Sequence, residues 1–258
     1  MKLRVWTAIA RAVILESIRR KDFWVVAILG ALIILSAGAL GLFGFSGLEN
    51  FAKDLATTVL GLFSTIIAIV TTTRLMPEEV KNRTLYPLLA RPISRFDLLL
   101  GKLSGAVAVS WMSFLVLVVL TAGALALFHV QFEAVMFQYV VGKMLGLVVL
   151  CSVSLMLSTF MTPSAATTLG FVLALGSGII IRALVLASTG TSEGMRGVFK
   201  CLNWLIPQYG LFDFGSRVAN TNWPSVPLWV MGFLLVYALA YSSSMMLLSW
   251  ARFRSKAI

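Results

Sequence analysis

Long apolar segments are the feature of this sequence that most limits what the chain can fold into. Runs of about eighteen or more residues with few charges recur, and each can cross a hydrocarbon layer of about 30 Å as a helix. Only 12% of the 258 residues are charged, whereas soluble domains carry roughly 25%. The runs are continuous and lack the alternation of membrane β-strands. Because a backbone inside lipid must bond to itself, the sequence predicts an all-α membrane protein with one domain, residues 1–258.

Six transmembrane helices are predicted in this domain. Their approximate bounds are residues 23–45, 54–76, 98–126, 138–161, 164–187 and 226–250. The fourth and fifth helices are joined by the short sequence Thr162-Pro163-Ser164. Thr162 can cap the fifth helix, and Pro163 can occupy its first turn, where no amide donor is missed. Two GxxxG spacings, Gly101–Gly105 and Gly142–Gly146, are typical of close helix packing but assign no particular interface.

Residues 1–22 are predicted to form an amphipathic helix that lies on the membrane face. Apolar residues recur there at helical spacing, while Arg4, Arg11 and Arg19 point elsewhere. Arg11 and Glu16 interrupt any signal-peptide core. A frayed basic leader is the alternative interpretation of the same residues.

Positive charge is distributed unevenly and predicts the orientation of the chain. The N-terminal 22 residues hold six Lys and Arg, the segment 74–102 holds six and the residues 251–258 hold three, fifteen of 21 in total. The positive-inside bias places this side in the cytoplasm. We expect a multi-pass protein of a bacterial inner membrane with both termini cytoplasmic. Because the charges flank apolar segments, membrane lipids rather than nucleic acid are the expected partners.

The connection 188–225, predicted to lie outside, is rich in aromatic residues. It contains two short apolar segments that are interrupted by Pro207 and Gly210 and cannot span the bilayer. They predict a re-entrant helical hairpin before the sixth span, with Trp204 and Tyr209 suited to the headgroup level. An ordinary loop with interfacial anchors is the alternative.

The segment 77–97 is predicted to be a cytoplasmic helix–turn–helix between the second and third spans. Pro77 can start a short helix, and the acidic pair that follows it suits the positive helix end. Pro92 disfavours helical angles in the residue before it. Ser94 and Asp97 have the spacing of a capping box at the start of the next helix. The segment is either a docking element for a cytoplasmic partner or a solvated loop.

The sequence EEVKNRTLYPLLARPISRFDLLLGK, residues 78–102, resembles the cytoplasmic loop between the second and third spans of ABC-2 type ABC transporter permeases. The matching positions are an acid, a Thr, a Leu pair, Pro-Ile-Ser-Arg, a Leu-rich run and Gly-Lys: Glu78 or Glu79, Thr84, Leu88–Leu89, Pro92–Arg95, Leu98–Leu100 and Gly101-Lys102. Arg83 departs from the pattern, because a Gly commonly precedes the Thr. The basic start, six spans and apolar outer connection also resemble the organisation of that family.

The resemblance implies a permease subunit that pairs with a second, identical or related permease and with two copies of an ABC ATP-binding subunit. The cytoplasmic loop would then act as a coupling helix through Glu78, Glu79, Arg83, Thr84, Leu88, Leu89, Pro92, Ser94 and Arg95. The chain has no GxxxxGK[ST] phosphate loop, so ATP and Mg are expected in the partner ATPase. We expect this chain to be non-catalytic and to hold no cofactor.

The expected function is export of a hydrophobic, lipid-like or glycan-type substrate. Hydroxyl groups on the second span suit a wide amphipathic path, or they bond helix carbonyls instead: Thr57, Thr58, Ser64 and Thr65. Charged residues of the spans are expected near their outer ends, where long side chains reach the interface: Lys53, Asp54, Lys143 and Arg182.

Two other functions are consistent with the same residues. One is a subunit of an envelope assembly or maturation complex that transmits ATPase motion without exporting a solute. The other is an intramembrane enzyme built on Ser177 and His129. Cys151 and Cys201 are expected at different depths and unpaired, and neither has a metal-binding spacing.

Overall fold

The fold is seen in a computed structural model that describes residues 2–19, 28, 30, 31, 48–81, 94–127, 133–189, 193–219 and 224–255. These residues form helices and short connections and contain no β-strand. The helices are α1 (Lys2–Arg19), α2 (Leu48–Lys81), α3 (Arg95–Leu127), α4 (Ala134–Phe160), α5 (Pro163–Thr189), α6 (Glu193–Leu205), α7 (Gly215–Ala219) and α8 (Leu228–Ser255), with a 3₁₀ turn at Tyr209–Phe212.

Among the described residues, five helical segments are long and apolar enough to cross a membrane. They are Lys53–Pro77, Arg95–Ala126, Ala134–Phe160, Pro163–Ser188 and Leu228–Arg254. These segments agree to within a few residues with the second to sixth predicted spans. The first predicted span, 23–45, lies outside the described residues apart from 28, 30 and 31, which are helical. The chain is therefore an all-helical, multi-pass membrane protein.

Helix α4 is the centre of the bundle. It packs against α2, α3, α5 and α8, and it is the most buried of the five apolar helices, whereas α5 is the least buried. Small side chains on α4 let its neighbours approach closely, and those that are buried include Gly142, Gly146, Ser152, Ser154 and Ser158. The exposed apolar side chains of α5 and α8 suit contact with lipid tails.

The two ends of the bundle carry different helix ends. One end, which we call the base, carries α1, the start of α3 and the end of α8. The opposite end, which we call the far end, carries the start of α2 and the start of α4. At the base, Lys102 near the start of α3 contacts Leu75 near the end of α2. At the far end, Lys53 contacts Glu133. Thus α2 and α3 are antiparallel, and α2 and α4 are parallel.

Proline positions were predicted correctly at one helix start and wrongly at another. Pro163 is the first residue of α5, as predicted, and the carbonyl of Thr162 accepts the first helical hydrogen bond from Ala166 N–H at 2.9 Å. Pro77 does not start a separate helix but lies inside α2. Because Pro77 is only four residues from the end of α2, its missing N–H removes a single helical bond.

The predicted N-terminal helix is present as α1, and it packs against α3 through the first GxxxG pair. A Cβ atom added at Gly101 would lie 3.0 Å from Ile9 Cβ, and one added at Gly105 would lie 2.8 Å from Val13 Cβ. Val13 is buried, whereas Arg11 is exposed. Gly101 and Gly105 therefore form the surface of α3 on which α1 packs, which we call the seat of α1. The GxxxG spacing alone did not assign this interface.

Replacing Gly105 by Ala is expected to destabilise the protein by about 1–3 kcal/mol, because Val13 Cβ and Ala10 Cα leave no room for a methyl group. The matched control is Gly123→Ala on the same helix, where nothing lies within 4 Å of an added Cβ. That control should be neutral or stabilising by up to about 1 kcal/mol. Unfolding in detergent, with hydrogen exchange of residues 2–19, measures both. Equal effects of the two variants would contradict this packing.

Candidate functional site

The start of α3 is built by the predicted capping residues. Ser94 precedes the helix, and its Oγ accepts the Asp97 backbone N–H at 3.1 Å. The Ser94 hydroxyl in turn donates to Asp97 Oδ2 at 2.6 Å. The predicted N-cap at Ser94 is therefore confirmed, and the negative Asp97 side chain lies at the positive end of the helix.

Asp97 also connects α3 to the N-terminal helix. The indole Nε1–H of Trp6 donates to Asp97 Oδ1 at 3.0 Å. The same carboxylate therefore accepts bonds from the helix cap and from α1. Because Gly101 and Gly105 seat α1 further along α3, the two helices are held at both polar and apolar contacts.

Arg95 connects the start of α3 to the end of α8. Its Nη1 donates to Phe253 O at 3.0 Å and to Arg254 O at 3.2 Å, and its guanidinium lies 5.7 Å from the centre of the Phe253 ring. The last carbonyls of a helix have no partner within the helix, so Arg95 satisfies two of them. Beside it, the Phe96 and Trp250 rings meet edge to face at 6.4 Å.

Lys102 connects α3 to the end of α2. The side chain is buried, and its Nζ donates to Leu75 O at 3.1 Å and to Met76 Sδ at 3.6 Å. An ammonium group at a buried position needs such acceptors in place of water. The Lys of the predicted Gly-Lys pair thus joins the two helices that flank the segment 82–93.

Most of the predicted coupling loop lies outside the described residues. This applies to Arg83, Thr84, Leu88, Leu89 and Pro92, and the side chains of Glu78 and Glu79 at the end of α2 are also outside. Ser94 and Arg95 are described, and both are engaged in contacts at the base. The structure thus places both flanks of the segment 82–93 and ties them to α1, α2 and α8.

A second candidate site is a cavity of about 500 Å³ between α2, α4, α5 and the segment 209–216. Of the four predicted path residues, Thr57, Thr58 and Thr65 line it. Ser64 does not line it, because a helix turns by about 100° per residue and Ser64 is fully buried, donating to Gly61 O at 3.0 Å. Thr57 and Thr65 also bond helix carbonyls, so both interpretations of these hydroxyls apply.

Lys143 lines the same cavity. It is the tenth residue of α4, and its Nζ would lie 3.2 Å from a Cβ at Gly61. The absence of a side chain at Gly61 leaves room for the ammonium, and the expectation that Lys143 lies near the outer end of its span stays a prediction. Asp54 and Asp213, both exposed, line the same cavity.

The connection before α8 folds back into the bundle. Tyr241, the fourteenth of 28 residues in α8, donates its hydroxyl to Leu205 O at 2.7 Å. The Phe212 side chain is buried against Gly146, and the Phe214 side chain against Gly142. The segment therefore reaches about half-way along α4 and α8, and its irregular backbone is partly satisfied by side chains of those helices.

Tyr209 and Pro207 lie inside this folded-back segment. Pro207 is buried, and Tyr209 lines the cavity with a buried hydroxyl that has no hydrogen-bond partner among the described residues. Burial raises the pKa of Tyr209 well above its ordinary value, so the hydroxyl keeps its proton and remains a donor. The side chain of Trp204, the third predicted hairpin residue, is not described.

An ion pair that the sequence did not indicate joins two helices at the far end. Lys53 Nζ lies 2.9 Å from Glu133 Oε1, and the Lys53 side chain is fully buried. The two residues are 80 positions apart, so no local pattern could pair them. The contact fixes the start of α2 to the start of α4.

The remaining candidates from the sequence are placed only in part. Ser177 lines the cavity, whereas His129 lies outside the described residues. Cys151 is buried and Cys201 is exposed, and both are free, as expected. The described part of the chain contains no group of three or more His, Cys, Asp or Glu that can hold a metal ion.

Glu133→Gln is expected to destabilise the protein by about 3 kcal/mol, because the buried Lys53 ammonium loses its paired carboxylate. The double variant Lys53→Met/Glu133→Gln should recover more than half of this loss, since no buried charge then remains at the site. Unfolding in detergent measures the three proteins, with Glu16→Gln on the exposed side of α1 as control. A double variant that is no more stable than Glu133→Gln would argue against the pair.

No curated protein is significantly similar to the chain. The family described as "Protein of unknown function (DUF2705)" matches residues 24–258, which includes every apolar helix described above. The chain therefore belongs to the DUF2705 family.

Proposed function

We propose that this protein is the transmembrane subunit of an ATP-binding cassette exporter driven by a separate ATPase. The observation that carries the proposal is the set of hydrogen bonds that connect the start of α3, next to the segment 82–93, to other helices. Asp97 bonds Trp6 of α1, Arg95 bonds the end of α8 and Lys102 bonds the end of α2. A motor that displaces this segment would therefore act on several helices at once. The ABC-2-like motif at residues 78–102 supports the same proposal from the sequence.

In this proposal the segment 82–93 docks in a cleft of the ATPase, with Glu78 and Glu79 beside it. ATP and Mg are bound by two copies of that ATPase, and a second permease, identical or related, completes the complex. Closure of the ATPases pushes the two loops together. Rigid contacts at the base pass this movement to α1, α2 and α8, because packed helices shift as bodies rather than deform.

The proposed membrane arrangement has six spans, with residues 23–45 as the first. The N-terminal helix lies on the cytoplasmic face, and both termini are cytoplasmic. The connection before α8 is a re-entrant hairpin, which the Tyr241–Leu205 hydrogen bond half-way along α8 supports. In this orientation the cavity opens in the outer half of the bundle.

The proposed substrate is hydrophobic, lipid-like or glycan-type. The cavity beside α2 combines hydroxyls such as Thr58 with apolar walls such as Leu62 and Leu175. An amphipathic molecule needs both kinds of surface. This mixed lining favours export over a purely mechanical role in envelope assembly, for which no cavity is needed.

The charge reversal Glu78→Lys/Glu79→Lys is expected to reduce recovery of the ATPase with the tagged permease by about tenfold or more, because it removes the acidic contacts proposed for Glu78 and Glu79 and adds positive charge to an already basic segment. The measurement is co-purification from host membranes, with the ATPase recognised by its phosphate-loop sequence. Membrane insertion should be normal.

Glu16→Lys is the matched control, since it reverses an exposed acid of α1 that lies outside the segment 74–102 in the sequence. It should leave co-purification at the wild-type yield. The proposal fails if the wild-type protein brings down no ATPase, or if the double reversal retains it fully.

A further inference from the structure

We infer that the 500 Å³ cavity is a binding site for a zwitterionic group, one that carries a phosphate or carboxylate oxyanion together with an ammonium. The inference concerns binding by this chain itself and does not depend on the proposed ATPase. It rests on the Lys143 ammonium and on the carboxylates in the same cavity lining.

The Lys143 side chain fits the oxyanion. Its ammonium makes no hydrogen bond and no ion pair within 4.0 Å to any residue of the described chain. A cation withdrawn from bulk water needs acceptors to replace its hydration. An oxyanion has several acceptor oxygens for the N–H donors of the ammonium, and such hydrogen bonds are charge-assisted.

The carboxylates fit the ammonium. Asp54 and Asp213 line the cavity and are exposed, and Asp213 Oδ1 accepts the Gly215 N–H at 3.0 Å. Asp213 lies within electrostatic range of Lys143 without forming an ion pair with it. Two acids against one lysine would repel a ligand that is purely anionic. A ligand with its own cation is attracted to both the lysine and the acids.

The dimensions suit a head group with an attached chain. A volume of about 500 Å³ falls within the roughly 300–1,000 Å³ typical of small-ligand sites. Leu62, Leu147 and Leu175 provide apolar walls beside the charges. The zwitterion can therefore come from a membrane lipid or from a small soluble molecule, and both carry the same recognised groups.

The test uses the full chain purified in detergent. For the lipid source, native mass spectrometry measures retention from an equimolar mixture of phosphatidylethanolamine and phosphatidylglycerol. For the soluble source, calorimetry measures phosphoethanolamine against inorganic phosphate and ethanolamine. We expect the zwitterion to be preferred by about tenfold in at least one arm, the size of one charge-assisted contact. Success in either arm supports the inference and identifies the source.

Variants separate the two halves of the site. Lys143→Met should lower zwitterion binding about tenfold, and Asp213→Asn should remove the preference over phosphatidylglycerol or phosphate. Arg182→Met, which removes an exposed charge of α5 outside the cavity lining, should bind like the wild type. Lys143→Gln, which keeps N–H donors without the charge, is the second variant and should weaken binding severalfold if Lys143→Met does not fold.

Three results would overturn the inference. The first is no zwitterion binding in either arm, which would leave water as the occupant. The second is wild-type binding by both Lys143→Met and Lys143→Gln. The third is binding of inorganic phosphate or ethanolamine alone as tight as that of the zwitterion.

Discussion

Glycines, which have no side chain, decide where the helices and connections of this bundle can approach one another. Gly101 and Gly105 let α1 lie directly on α3, and Gly142 and Gly146 let the aromatic rings of the connection before α8 reach α4. Gly61 leaves the space that the Lys143 ammonium occupies. Lipid tails are as apolar as the helices, so association depends on close packing rather than on a hydrophobic driving force. The seat of α1, the folded-back segment and the charged cavity all depend on this one constraint.

Hydrogen bonds and an ion pair between helices add to this packing, and they lie mainly at the two ends of the bundle. At the base, Asp97, Arg95 and Lys102 join α3 to three other helices and surround the segment that we propose contacts an ATPase. At the far end, Lys53 and Glu133 fix α2 to α4. The cavity lies between these two groups of polar contacts. Because α2 and α4 line it, small shifts of these helices would change its shape. Such an arrangement suits a protein that must move without losing its packing.

Features that depend on neighbouring residues were predictable. The positions of five apolar helices, the α5 start at Pro163 and the Ser94–Asp97 cap follow from hydropathy, proline geometry and capping rules. Pro77 was predicted wrongly, because near a helix end the loss of one hydrogen bond does not stop the helix. The space beside Gly61 that the Lys143 ammonium occupies could not be predicted, because the glycine belongs to another helix. Ser64 was assigned to the path, although of the neighbours Ser64 and Thr65 only Thr65 lines the cavity.

The sequence by itself determined that the chain is a multi-pass helical membrane protein, since hydropathy and backbone hydrogen bonding leave no other arrangement for such runs. It also determined the cap of α3 and the motif that suggests an ATPase partner. Only the tertiary structure decided that Trp6 meets Asp97, that Lys53 meets Glu133, and that Lys143, Asp213 and Tyr209 share one cavity. These residues are tens of positions apart, and only the packing of whole helices brings them together.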